Sequence, residues 1–298
     1  HATGLFISMK LLFLASSRPL TQADVQSIEQ FLIHQNLPTL GQPVWIRPGK
    51  AAKLVTGASP SLDQVKALRD FLARWEVDVL CIKDDQPAIK LLLADMDCTI
   101  VTFETLDEIG AAAGVGQQVA RITERTMNGS LNFSESLMQR VALLKGLPES
   151  AIKKILDETQ LSQGAPQFIG AFREAGAKAV LVSGGFTYFT SVIAPRCGFD
   201  AHHANTLHFV DGHLDGTVVP PILDREAKLT YLDKYARDLG INLSQTLTIG
   251  DGANDLLMLH AAGIGIGYRP KPVVEAATIN VLKYASMGDL PLLLDPAF

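Results

Sequence analysis

The chain has 298 residues, a formal charge of -5, 47% hydrophobic residues and 19% charged ones. That length allows a sizeable core in one large or two unequal domains, and the composition excludes a disordered or collagen-like chain. The acidic balance, with no cluster of Lys or Arg, excludes the basic field needed to hold nucleic acid.

Ahead of Met9, the residues HATGLFIS read as an added leader that carries no fold. MKLLFLASS has the look of a secretion signal, but its apolar stretch is short and no small-residue cleavage site follows, so a buried first strand is expected. From there to Pro87 the apolar spacing predicts strand (KLLFLAS), helix (TQADVQSIEQFLIHQ), strand (PVWIRP), helix (SLDQVKALRDFLARWE) and strand (VDVLCIK), a small α/β unit. Lys83 to Gln86, closed by Pro87, interrupts the pattern and reads as a linker, which sets the domains at 9–87 and 88–298.

The second unit begins with LLLADMD, continues through helical sequence from about Thr105 to Thr159, and then gives AVLVSGG and TLTIGDG. These three apolar runs are short, rich in Leu, Val and Ile, and end in small or acidic residues, which suits strands of a parallel sheet buried on both faces. Open α/β sheets bind ligands beyond the carboxyl ends of their strands, so Asp95, Asp97, Ser183 and Asp251 are expected to converge on one crevice. ANTLHFVDGHLDGTV alternates apolar and polar residues around Asp211-Gly212 and predicts a hairpin, expected to lie outside the main sheet. No internal repeat or low-complexity segment interrupts this order.

An Asp at a strand end can act as a nucleophile, and a second carboxyl two residues later, in DMDCT, faces the same side if the backbone stays extended. A short motif of this kind serves equally well as a turn cap, and alone it decides nothing. GDGAND supplies two more carboxylates and an amide after another strand, so that Asp251 with Asp95 suits a hard cation such as Mg²⁺. VSGGF offers a hydroxyl and free backbone amides able to cradle a phosphate oxygen, and Lys228 in DREAKLTYL could neutralise phosphate charge. Each of these also has an ordinary structural reading as a turn or a solvated helix start.

The ordered set DMDCT, VSGG, Lys228 and GDGAND, together with FETLDEIGAAAG and LNFSESLMQRVALLKGLP, resembles the haloacid dehalogenase superfamily of aspartate-nucleophile phosphatases, and within it the phosphoserine-specific branch. The resemblance spans about residues 88 to 290 and implies a Rossmann-like α/β core with a parallel sheet, a helical cap inserted at about 107–165, and bound Mg²⁺. It implies that Asp95 attacks phosphorus, that Asp97 protonates the leaving oxygen and then activates water, and that Thr99 supports their loop. Ser183, Gly184 and Asn254 would hold the phosphoryl group, Lys228 would offset charge, Asp251 would bind Mg²⁺ with Asp95 and the Asp97 carbonyl, and Asp255 would orient Lys228 or the metal waters. Glu104, Phe133 and Arg140 match the positions that select an amino-acid substrate, Glu104 taking the ammonium and Arg140 the carboxylate. Cys98 stands where the family usually has Ser, and strand alternation predicts that its side chain points away from the acids.

The implied function is Mg²⁺-dependent hydrolysis of phosphoserine, the last step of L-serine biosynthesis. Open alternatives are a phosphotransferase, a phosphatase for another small phosphomonoester, and an amino-acid-binding regulatory protein without catalysis. Residues 9–87 are similar in element order to ACT-like domains, expected to pack or to pair two copies rather than to bind serine. Cys81, Cys98 and Cys197 have neither a paired framework nor metal-ligand spacing, which suggests the reducing cytoplasm. No run approaches the roughly 18 apolar residues of a membrane span, so neither a membrane nor nucleic acid is expected as a partner.

Overall fold

The computed structural model describes residues 8–127 and 130–298, so the leader reading lies, but for Ser8, outside the described residues, as do positions 128 and 129 of the helical insert. The N-terminal unit contains β1 (Met9–Ala15), α1 (Gln22–His34), β2 (Val44–Arg47), β3 (Ala51–Thr56), α2 (Leu62–Leu72) and β4 (Val77–Lys83). Its strands form one antiparallel sheet in the order β2-β3-β1-β4. Strand β3 corrects the sequence reading, which passed from PVWIRP directly to the second helix. AAKLVT carries a weak strand signal, because two of its six residues are alanines, and what makes it a strand is pairing with β1 on one side and β2 on the other. Both helices start with a reciprocal cap: Thr21 with Asp24, and Ser61 with Gln64.

The second sheet has seven strands: β5 (Leu91–Ala94), β6 (Lys178–Phe186), β7 (Ala201–Val210), β8 (His213–Val219), β9 (Thr246–Gly250), β10 (Ile264–Tyr268) and β11 (Asn280–Leu282). Their order is β11-β10-β9-β5-β6-β7-β8, parallel throughout except for the β7-β8 pair. The four residues of β5 are all buried, and each Leu buried there contributes about 1.5–3 kcal/mol. Because β5 lies between β6 and β9, the strand order reverses beside it, and that is where a parallel sheet leaves a crevice at its carboxyl edge.

The hairpin forms at Asp211-Gly212 as expected, but it does not lie outside the main sheet. Strand β7 pairs in parallel with β6 from Val180–Ala201 to Phe186–Asn205 and so extends that sheet. Its alternating polarity describes an exposed face and is silent about which edge the strand joins. The hairpin also supports the insert, since Gly146 N–H donates to Leu214 O at 2.7 Å and Glu149 N–H to Gly212 O at 2.9 Å.

The helical insert comprises α3 (Thr105–Ala112), α4 (Gly116–Met127), α5 (Phe133–Ala142) and α6 (Glu149–Glu158). Helices α7 (Ala165–Glu174), α8 (Thr187–Cys197), α9 (Ala227–Leu239), α10 (Leu256–Ala261) and α11 (Pro272–Ala277) connect the strands. The two sheets meet edge to edge: the Asn280 side chain accepts from Cys81 N–H at 2.6 Å and donates to Cys81 O at 3.3 Å. Beside it, the Asp78 carboxylate accepts the N–H groups of Lys283, Tyr284 and Ala285 at 3.0, 2.8 and 2.7 Å. Among the described residues, no helix is long and apolar enough to cross a membrane.

Candidate active site

Asp95 leaves β5 in extended backbone, and its N–H donates to Ile249 O of β9 at 3.0 Å, which ties the first acid to the neighbouring strand. The chain then coils tightly: Cys98 N–H donates to Phe103 O at 3.1 Å and Val101 N–H to Met96 O at 3.0 Å. Thr99 is fully buried, donates its hydroxyl to Asp251 Oδ1 at 3.2 Å, and receives the Ser162 hydroxyl at its carbonyl at 2.5 Å. The loop that carries the acids is therefore held by β9 and by the segment returning from the insert.

Cys98 departs from expectation. Its φ of +52° is a left-handed conformation, so strand alternation ends there and cannot turn the side chain away. Instead its sulfur lies with carboxylate oxygens of Glu104 and Asp251, all within 4.8 Å of one another. Burial, and then the charges of Glu104 and Asp251, push its thiol above the ordinary range.

Lys228, near the start of α9, extends its ammonium between two buried acids, 2.8 Å from Asp95 Oδ1 and 2.5 Å from Asp255 Oδ1. Burial opposes its charge, but Asp255 and Asp95 outweigh that and raise its pKa. The other oxygen of Asp255 accepts Asp251 N–H at 3.0 Å and Gly252 N–H at 2.9 Å, so this acid fixes both Lys228 and the loop after β9.

Oxygens of Asp95, Asp251 and Asp255 lie within 4.8 Å of one another, all buried. Three carboxylates facing a single buried ammonium leave an excess of negative charge, and an all-oxygen donor set is what a hard dication takes. These residues fit Mg²⁺. With both Asp255 oxygens already bonded, Asp95 and Asp251 are the acids with capacity to bind it. Burial, then Asp255, pushes the carboxyl of Asp251 up to about 6, and the same two causes raise Asp95.

The Asp97 side chain lies outside that cluster, accepting from the hydroxyl of Thr105 and from its N–H at 3.3 Å. Burial, and then Glu104, pushes this carboxyl up to about 7. A Cβ on Gly185 would stand 2.9 Å from Asp97 Oδ2, which places this acid over the turn that follows Ser183. Ser183 is buried and accepts Gly185 N–H at 2.9 Å. Ser183, Gly184, Lys228, Asn254 and Phe133 line one narrow cavity. The Phe133 ring comes from α5 and its Cζ lies 3.2 Å from where a Cβ on Gly184 would be, so the insert closes directly onto the phosphate-binding turn, and only glycine fits beneath it.

Glu104 stands at the start of α3 and Arg140 near the end of α5. Arg140 donates to Ser136 O at 3.2 Å and to the Thr123 hydroxyl at 3.5 Å, and burial lowers its pKa against the opposing charges of Asp107 and Glu104. Two contacts escaped the sequence reading. Thr105 holds Asp97, and Lys271 Nζ lies 2.8 Å from Glu104 Oε1 and 3.4 Å from Asp251 Oδ2. The one sequence signal for Lys271 is the proline after it, which keeps its backbone extended.

A family model described as haloacid dehalogenase-like hydrolase matches residues 89–263, the span that holds the acid loop, the insert and the Lys228–Asp255 pair. Fold and site thus define the class, a haloacid dehalogenase-like hydrolase. A phosphoserine phosphatase of Haemophilus influenzae is 34% identical over 279 residues, covering 92% of this chain and 86% of its own length. One from Streptococcus thermophilus is 44% identical over 185 residues, 62% of this chain and 86% of its own. Among solved structures, a hydrolase of the same superfamily from Salmonella enterica serovar Typhi superposes with a TM-score of 0.85 at 27% identity, over 98% of this chain and 99% of that one. The chain belongs to the phosphoserine phosphatase family of haloacid dehalogenase-like hydrolases.

Proposed function

We propose that the enzyme hydrolyses O-phospho-L-serine to L-serine and phosphate through an aspartyl-phosphate on Asp95, as the last step of L-serine biosynthesis in the cytoplasm. The observation that carries the reading is the pairing of Asp95 with Lys228 at 2.8 Å while Asp97, two residues on, has its carboxyl pushed up to about 7. One acid is held beside a cation, ready to attack. The other is able to hold a proton near neutrality. The names of the family's curated members support phosphoserine as substrate.

Asp95 attacks phosphorus, the bond from phosphorus to the serine oxygen breaks, and the Asp97 carboxyl gives that oxygen its proton. Asp97, now a carboxylate, takes a proton from water as the water oxygen attacks the phosphorus. The bond to Asp95 breaks, phosphate leaves, and both acids are restored. Bound Mg²⁺, held by Asp95, Asp251 and the Asp97 carbonyl, would supply positive charge to the phosphoryl oxygens. Ser183, Gly184 and Asn254 orient that group and Lys228 offsets its charge. Glu104 takes the substrate ammonium, Arg140 its carboxylate, and Phe133 keeps water out. Residues 9–87 serve as a packing unit, and a homodimer through them fits their exposed edge strand β2. The free thiols of Cys81, Cys98 and Cys197 support a reducing compartment.

The test is phosphate release from L-phosphoserine with and without Mg²⁺, beside Asp95→Asn and a panel of other phosphomonoesters. Metal-dependent release that favours phosphoserine and vanishes in Asp95→Asn supports the reading. Preference for another ester keeps the chemistry and removes the roles given to Glu104 and Arg140.

A further inference from the structure

Lys271 joins two parts of the site that have different tasks. Its ammonium lies 2.8 Å from Glu104, at the start of the insert, and 3.4 Å from Asp251, after β9. Its backbone is fixed independently, with its N–H donating to Asp251 O at 2.9 Å and Pro272 behind it. The side chain is less constrained: it is 43% exposed, on a flexible four-carbon stem, so the ammonium can swing to solvent while the backbone stays in place. Asp251 is only 5% exposed at its side chain, and Lys271 is its one ion-pair partner among the described residues.

The chemistry of these contacts is that of a substitute. Glu104 faces a primary ammonium, the group an α-amino acid carries, and Asp251 faces a cation where the donor set fits a dication. We propose that Lys271 is a positioning residue that bridges Glu104 and Asp251 as an internal counter-cation, competing with the metal at Asp251 and with the substrate ammonium at Glu104. It keeps two carboxylates from repelling each other in the empty site, and it gives way as the two external cations arrive. A positive charge this close to a metal-binding carboxylate weakens dication binding, because partly buried charges are poorly screened. The assignment for the ammonium rests on the phosphoserine reading, whereas the assignment for the metal does not.

The deciding experiment is calorimetric titration of Mg²⁺ into the full-length protein without substrate, for wild type, Lys271→Met, Lys271→Gln and Lys271→Arg, with folding checked by circular dichroism. The neutral variants are expected to bind Mg²⁺ about three- to tenfold more tightly than wild type, whereas Lys271→Arg is not tighter. Affinity that is unchanged or weaker in a folded neutral variant overturns the proposal, and having two such variants guards against one that fails to fold. A second arm compares phosphoserine with phospholactate, in which hydroxyl replaces ammonium. The ratio of kcat/KM for the two should rise about tenfold in Lys271→Met through a lower KM for phosphoserine, and an unchanged ratio removes the role at Glu104. If wild type does not turn over phosphoserine, the functional reading has failed and the Mg²⁺ titration still decides the role of Lys271.

Discussion

Lys228 touches Asp95 at 2.8 Å with both side chains almost wholly buried, and the same ammonium reaches Asp255 at 2.5 Å. Breaking a buried pair by removing one partner typically costs about 3–5 kcal/mol, because the charge left behind is uncompensated. Lys228→Met should therefore lower kcat at least about a hundredfold and also lower the unfolding midpoint. Phosphate release at saturating Mg²⁺ and thermal unfolding measure the two effects, and a variant with full kcat would remove Lys228 from the charge balance.

The proton on Asp97 sets a pH dependence. Burial, then Glu104, holds this carboxyl at about 7, so below that pH it carries the proton that the serine oxygen needs. For phosphoserine, kcat/KM should fall as pH rises through about 7. For an aryl phosphate, whose leaving group needs no proton, this limb should be much shallower. Asp97→Asn is expected to lose about 10²–10⁴-fold with phosphoserine and less with the aryl ester. Equal losses with both would place the role of Asp97 elsewhere.

Cys98 has its thiol pushed up by burial and by Glu104 and Asp251, so it is a poor nucleophile despite being half-exposed. Buried Cys81 and Cys197 are each pushed up to about 12, chiefly by burial. A thiol reagent at pH 7.5 should label native protein slowly at all three positions. Cys98→Ser should keep most of the activity, and losing it would give the thiol a part in the chemistry.

Stability at low pH should carry a signature of Asp24. Arg18 first, against the effect of burial, with Thr21 assisting, lowers this carboxyl to about 2. A depressed carboxylate stabilises the fold above its unfolded pKa near 3.9 and loses that contribution as pH falls toward the folded value. Because Arg18 is partly exposed, the contribution is about 1 kcal/mol. Denaturant unfolding of wild type and Asp24→Asn should differ by that amount at pH 6 and converge near pH 2. A difference that persists at pH 2 would point to packing instead.

Much of this architecture is legible in the chain itself. LLLADMD, AVLVSGG and TLTIGDG become β5, β6 and β9, adjacent in the sheet, and the acids, the serine and the glycines stand at their carboxyl ends. AAKLVT is not legible, because alanines say little of strands until partners on both sides pair with them. The edge chosen by the hairpin is equally silent, since alternation describes a strand's faces and not its neighbours. Cys98 misled for a local reason: one left-handed residue ended the alternation on which the expectation rested.

By itself the sequence determined the order of elements and the chemical groups at the strand ends, because apolar periodicity and turn residues act over a few positions. The tertiary structure alone decided which distant groups meet: Lys228 with Asp95 and Asp255, Thr99 with Asp251, Lys271 with Glu104. Those pairs lie from 27 to 167 residues apart along the chain. They meet because the strand order reverses at β5, and no local pattern encodes where a sheet turns back on itself.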